Sequence, residues 1–161
     1  MSKIAPCLWF DGQAEEAANF YVSLIADSRI DAVVRAPADY PSGSAGSVLA
    51  VDFTLAGRPF AGLNGGPEFQ FNEAVSFMID CADQAEVDRL WDALCDGGAR
   101  VQCGWLKDRY GVSWQIVPTV LKGMLADPDR EKARRAMQAM MGMVKLDIAA
   151  LKQAYDGGSA A

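Results

Sequence analysis

At 161 residues, with 51% hydrophobic and 22% charged side chains, the chain has the size and composition of one globular domain with a proper core, which excludes wholesale disorder. Its net charge of -6, from 21 acidic against 15 basic residues, argues against nucleic acid or an anionic membrane as the main partner, because either needs a basic face. No histidine is present and Cys7, Cys81, Cys95 and Cys103 form no Cys-x-x-Cys pair, so an ordinary zinc site is excluded and the thiols read as reduced and mostly buried.

The opening Met1–Pro6 holds no apolar stretch long enough for a signal peptide or a membrane helix, and a soluble cytoplasmic protein is expected. Ile4–Phe10 alternates as a strand, with Pro6 tolerable near its start, and Asp11-Gly12 turns the chain. The spacing of Ala17, Phe20, Tyr21 and Leu24 predicts an amphipathic helix over 14–25, with Glu15 and Glu16 in its first turn, where acids suit the helix dipole. A strand follows over 28–35. The proline-, glycine- and serine-rich 36–46 reads as an exposed loop, and 47–55 and 58–63 form two strands joined tightly at Ala56-Gly57.

The order then repeats. Ala74–Asp80 is an alternating strand, and Asp83-Gln84-Ala85-Glu86 opens a helix that turns Val87, Leu90, Trp91 and Leu94 inward and ends at Gly97-Gly98. Gln102–Pro118 reads as a hairpin: an approach strand, a turn at Asp108–Gly111, and a return strand over 112–117 that Pro118 ends. On that return strand Val112, Trp114 and Ile116 point one way, and Ser113, Gln115 and Val117 the other. A shift of 70 residues carries the second helix's four apolar positions and two flanking strands onto the first set, which points to an internal duplication of a strand, helix and three strands.

After Pro118 the composition changes to helix formers. A short helix is expected over 119–126. Asp127-Pro128 reads as a cap opening a helix over 129–143, with Arg134, Met137, Met140, Met141 and Val144 on one stripe, packed largely within the chain. Asp147 caps a last helix to Tyr155, and 157–161 is an expected frayed tail.

Several stretches together resemble the vicinal oxygen chelate superfamily of glyoxalases, bleomycin-resistance proteins and extradiol dioxygenases, and more narrowly its PhnB-like branch. They are Pro6–Gly12, Glu15-Glu16-Ala17, Phe20-Tyr21, Leu63–Pro67, Phe71–Ala74, Gln102–Asp108 and Trp114–Pro118, with Asp108-x-x-Gly111-x-x-Trp114-Gln115 closing the second unit. The resemblance implies an α+β fold of two tandem βαβββ modules forming a curled mixed sheet around a cleft, often completed across a homodimer. Module 1 spans about 3–66, module 2 about 73–118, and the helices 119–156 are an extension within a single domain of 1–161. In metal-dependent members, His, Glu or Gln ligands sit at four cleft positions. The matching positions here are about Pro6, Leu63 or Asn64, Ala74, and Gln115, of which only Gln115 is an ordinary donor, so no metal and no other cofactor is expected.

Members of this branch often carry a demethylubiquinone methyltransferase label. A methyl-donor nucleotide site of the doubly wound type wants a glycine-rich turn followed by a helix, whereas Gly62-Leu63-Asn64-Gly65-Gly66 leads into Pro67 and a further strand. The candidate ligand-binding residues are the aromatics Trp9, Phe71 and Trp105, the amides Asn64, Asn72, Gln102 and Gln115, and Glu68 and Cys103. The plainer alternative is that these aromatics are core and these amides satisfy loop backbone. The expected function is metal-independent binding of a small organic molecule. The alternatives are a metal-dependent enzyme with non-standard ligands, a methyltransferase, and a non-catalytic structural dimer.

Overall fold

The computed structural model describes residues 3–158 and divides into two compact units, Met1–Phe71 and Asn72–Ala161. The first contains β1 (Cys7–Phe10), α1 (Ala14–Leu24), β2 (Arg29–Arg35), β3 (Val48–Leu55) and β4 (Arg58–Asn64), in the sheet order β1-β4-β3-β2. Among the described residues of this sheet, only the β1–β4 pair is parallel. The strand expected from Ile4 begins at Cys7 because Pro6 has no N–H for the ladder; its carbonyl still accepts from the Ala61 N–H at 2.9 Å. Ala56 and Gly57 both take positive φ, the twist that a two-residue hairpin turn demands. Leu8, Phe10, Val51, Phe53 and Phe60 are buried beneath α1, while Cys7, Trp9 and Asp52 lie on the opposite, open face.

The second unit repeats this order with β5 (Phe77–Cys81), α2 (Gln84–Cys95), β6 (Ala99–Arg100), β7 (Trp105–Lys107) and β8 (Ser113–Pro118), in the sheet order β5-β8-β7-β6. The α+β class and the two tandem βαβββ modules are those expected. Strand β5 starts at Phe77 and not Ala74, because the Ala74 N–H is turned onto the Asn72 side chain at 3.0 Å. At the start of α2, Asp83 accepts from the Glu86 N–H and Glu86 accepts from the Ala82 N–H, a variant of the reciprocal cap.

The repeat is looser than one fixed shift. Ala14, Ala17, Ala18 and Tyr21 are the buried positions of α1, and they precede Val87, Leu90, Trp91 and Leu94 of α2 by 73 residues, not 70. Phe20 and Leu24 are only half-buried. Three alanines let α1 approach its sheet closely: a Cβ on Gly62 of β4 would lie 3.3 Å from the Ala14 Cβ.

The extension comprises α3 (Thr119–Leu125), α4 (Arg130–Met141) and α5 (Ile148–Asp156). Its core joins Leu121, Met124, Ala136, Leu146 and Leu151 to Val117 of β8. The cap of α4 is Asp129, which accepts from the Glu131 and Lys132 N–H groups, two residues beyond the expected Asp127. Its buried face is Ala133 and Ala136, with Met140 against the core, whereas Met137 and Met141 of the expected stripe are exposed. Asp147 caps α5 as expected. Two further ties fix α5 from outside: Arg135 donates to the Ala154 and Tyr155 carbonyls, and the Tyr155 hydroxyl donates to Asp127. Gly157 closes α5 in the left-handed conformation, and 159–161 of the expected tail lie outside the described residues.

Candidate functional site

The return strand β8 owes its setting to Asp108. This carboxylate is 3% exposed, and Oδ1 accepts from the Tyr110 and Val112 N–H groups at 2.9 and 3.0 Å while Oδ2 accepts from Trp114 Nε1 at 2.9 Å. One side chain thereby closes the turn and fixes the rotation of the strand. With Trp114 and Ile116 buried on the α2 side together with Leu106, the residues between them are turned to the other face.

On that open face Gln115 stands across the ladder from Met78 on one side and Trp105 on the other. Its Nε2 donates to Ser76 Oγ at 2.9 Å, which holds the amide in place. Lys107 stands opposite Ser113 and forms an ion pair with Glu73 at 2.5 Å. The Lys107 hydrogen bond, more than its charge, holds the Glu73 carboxyl below the usual carboxylate range. Ser113 is 2% exposed, and its hydroxyl has no hydrogen-bond partner among the described residues. Buried polar atoms are seldom left so, because an unpaired one forfeits its hydration without return.

Of the sequence candidates in this unit, Trp105 and Gln115 are brought side by side. Cys103 and Gln102 precede them in the turn before β7, where Cys103 takes φ +60°. The Cys103 and Gly104 N–H groups donate to the Met143 and Val144 carbonyls at 2.8 Å each, so the extension holds this turn. Asn72 is exposed and committed to its local turn. Burial pushes the Cys81 thiol up to about 12, which removes it as a nucleophile near neutral pH.

In the first unit, Trp9 lies on the open face of its sheet, donating from Nε1 to the Gly66 carbonyl at 2.8 Å and meeting Phe69 edge-on at 5.0 Å. A Cβ on Gly65 would lie 2.3 Å from the Trp9 ring, so the glycine-rich stretch after β4 makes room for the indole. Asn64 faces the other way. Its Oδ1 accepts from the Ala14 N–H and its Nδ2 donates to the Val48 carbonyl, both at 2.9 Å, so the amide caps α1 from across the sheet. Phe71 packs edge-on against buried Phe10, and Glu68 is exposed.

A family model described as 3-demethylubiquinone-9 3-methyltransferase matches residues 2–117, which takes in both modules and stops at the extension. The chain belongs to this family. Through it the chain falls within the vicinal oxygen chelate superfamily. The PhnB protein of Bacillus cereus, which carries the same methyltransferase name, is 35% identical over 73% of this chain and all of its own, with a TM-score of 0.67. Protein PA1353 of Pseudomonas aeruginosa shares the fold at 20% identity, over 73% of this chain and 98% of its own, with a TM-score of 0.60. The fosfomycin resistance protein FosX of Mesorhizobium loti shares it at 14% identity, over 79% of this chain and all of its own, with a TM-score of 0.52. A comparison with curated proteins finds no match.

The residues of this member do not fit the metal that the superfamily implies. Gln115 is a neutral amide, and its neighbours across the ladder are a thioether and an indole. Among the described residues, no three His, Cys, Asp or Glu side chains are grouped to hold an ion. The methyl-donor nucleotide implied by the family's name meets a similar misfit: the glycine-rich stretch after β4 leads to turns and then β5, so the strand, glycine turn and following helix of a doubly wound nucleotide site are not found there. Ser76, Met78 and Ser113 are the site residues that reasoning from the sequence passed over. The Ser-x-Gln alternation of β8 signals Ser113, whereas Met78 emerges only from the register of the parallel β5–β8 pair and Ser76 from its hydrogen bond with Gln115.

Proposed function

We propose that this PhnB-like protein is a cytoplasmic homodimer that binds a small organic molecule, without a metal, on the open face of its second sheet. One observation carries the reading. The amide of Gln115 is half-buried at the middle of that face, anchored at Nε2 by Ser76 and flanked by the apolar walls of Trp105 and Met78. A positioned polar group between apolar surfaces is the usual make-up of a small-molecule site. Metal independence is supported by the donor set, since a neutral amide beside a thioether and an indole neutralises no charge on a divalent ion. Trp9 offers a second aromatic surface on the open face of the first sheet, while the amide of Asn64 supports α1.

The test is a thermal-shift screen of aldehydes, quinones, aromatic acids and phosphonates against wild type and Gln115→Ala. Hits are expected to stabilise the wild type in proportion to the logarithm of ligand concentration and to lose that effect in the variant. Equal binding of every hit by Gln115→Ala would place the ligand elsewhere. Elemental analysis checks the metal: one tightly held transition ion per chain, lost together with activity on chelation, would replace this reading with a metalloenzyme. Sedimentation equilibrium and cell fractionation check the dimer and the compartment.

A further inference from the structure

The geometry points to an anion subsite beside Gln115, in which Ser113 and Lys107 together take the carboxylate of an aromatic or otherwise apolar acid. The inference rests on the ligand-binding reading above and adds the chemical class of the ligand. Its first support is the Ser113 hydroxyl, which is buried and has no partner among the described residues, although the same strand turns Gln115 toward the open face. Hydroxyls rotate freely and can donate to whatever acceptor arrives. The second is position: Lys107 lies directly opposite Ser113 on the neighbouring strand, so the ammonium and the hydroxyl rise from one cross-strand pair.

The third support is the balance of donors and acceptors. Lys107 brings three N–H donors and spends one on Glu73, while Gln115 Nε2 retains a second hydrogen beyond the one given to Ser76. Together with Ser113 this makes a donor-rich patch, whose fitting guest is an oxyanion. Glu73 is a carboxylate already docked there, and its side chain is 56% exposed, so it can leave. A ligand carboxylate is expected to take its place on Lys107, and movement of the Lys107 arm opens the Ser113 hydroxyl to the same group. Trp105 and Met78, flanking Gln115, give the apolar body its surface; Met78 is 51% exposed.

The experiment titrates the full chain with 2-naphthoate and, as a neutral isostere, 2-naphthamide, followed by calorimetry and by tryptophan fluorescence. Naphthoate is expected to bind about tenfold more tightly than the amide, consistent with one charge-assisted contact. Lys107→Gln should erase that preference. Glu73→Gln should strengthen naphthoate binding several-fold by removing the resident carboxylate. Ser113→Ala should weaken it several-fold while leaving the melting temperature unchanged or higher, since the hydroxyl it removes has no partner to lose among the described residues.

Equal binding of both probes, with loss of both in Gln115→Ala, overturns the anion subsite and leaves the ligand-binding reading standing. Binding of neither probe overturns the subsite too, and the wider ligand screen then decides the reading separately. A clear fall in melting temperature for Ser113→Ala also overturns it, by showing that the hydroxyl is already satisfied.

Discussion

Asp108 is the residue on which the geometry of the second sheet can be tested most sharply. Its carboxylate is buried and accepts from the Tyr110 and Val112 N–H groups of the turn and from the Trp114 indole. In Asp108→Asn the amide oxygen can still serve Tyr110 and Val112, but the NH2 group then faces the Trp114 N–H, donor against donor. Losing the bond from the Trp114 indole to a charged acceptor should cost about 2 kcal/mol, and Asp108→Ala, which takes the acceptor from Tyr110, Val112 and Trp114 together, about 4 kcal/mol. For a chain of this length these values correspond to melting temperatures lower by roughly 4–8 °C and 8–16 °C.

The two causes separate in a double-mutant cycle. Trp114→Phe removes the donor that Asn would oppose, so Asp108→Asn should cost about 1 kcal/mol less in the Phe background than in the wild type. Urea unfolding followed by far-ultraviolet circular dichroism reads all four corners without relying on the tryptophan that is being replaced. Additivity within about 0.3 kcal/mol, or an Asp108→Asn cost below about 0.5 kcal/mol, would refute the view that this carboxylate fixes the strand.

Other consequences can be checked with the same unfolding measurements. Gly65→Ala places a methyl group against the Trp9 ring and should cost about 1–3 kcal/mol, with a shifted tryptophan emission as its signature. Leu146→Ala, at a fully buried position of the extension core, should cost about 2–5 kcal/mol, and faster amide exchange should follow at Cys103 and Gly104. Asp83→Ala removes the α2 cap and should cost about 1 kcal/mol, largely recovered by Asp83→Ser.

The Asp127–Tyr155 pair predicts two pH limbs. The Tyr155 hydrogen bond lowers the Asp127 pKa from its ordinary 3.8, so that stabilisation is present above this value and is lost as pH falls through the lower folded value. The same bond raises the Tyr155 pKa from 10.0, so the stabilisation is complete below pH 10.0 and is lost as pH rises through the raised value. Tyr155→Phe should flatten both limbs in melts taken across pH.

Much of this architecture was legible in the residues. The apolar faces of α2 and β8, and the capping roles of Asp83 and Asp147, follow from periods and local chemistry that one chain displays by itself. The role of Asn64 was not legible: alternation with Phe60 and Gly62 gives its face, but its partners, the Ala14 N–H and the Val48 carbonyl, lie far away in the chain. The buried face of α4 was misread for a related reason. Methionine outranks alanine in apolarity, yet close packing near Leu146 and Leu151 selects the small side chains Ala133 and Ala136 and leaves Met137 and Met141 outside. Met78 and Ser76 come beside Gln115 through a parallel pairing between segments nearly forty residues apart, about which local patterns carry no information.

The grip of Met143 and Val144 on the turn before β7 bears on how the chain matures during synthesis. Every strand of the first sheet precedes residue 103 in the chain, so that half can close early. The turn leading into Trp105 must wait some forty further residues for its last two acceptors. A free fragment ending just after Pro118 should therefore protect its first sheet from protease while this turn is still open to cleavage, and the full chain with the remaining helices should seal it.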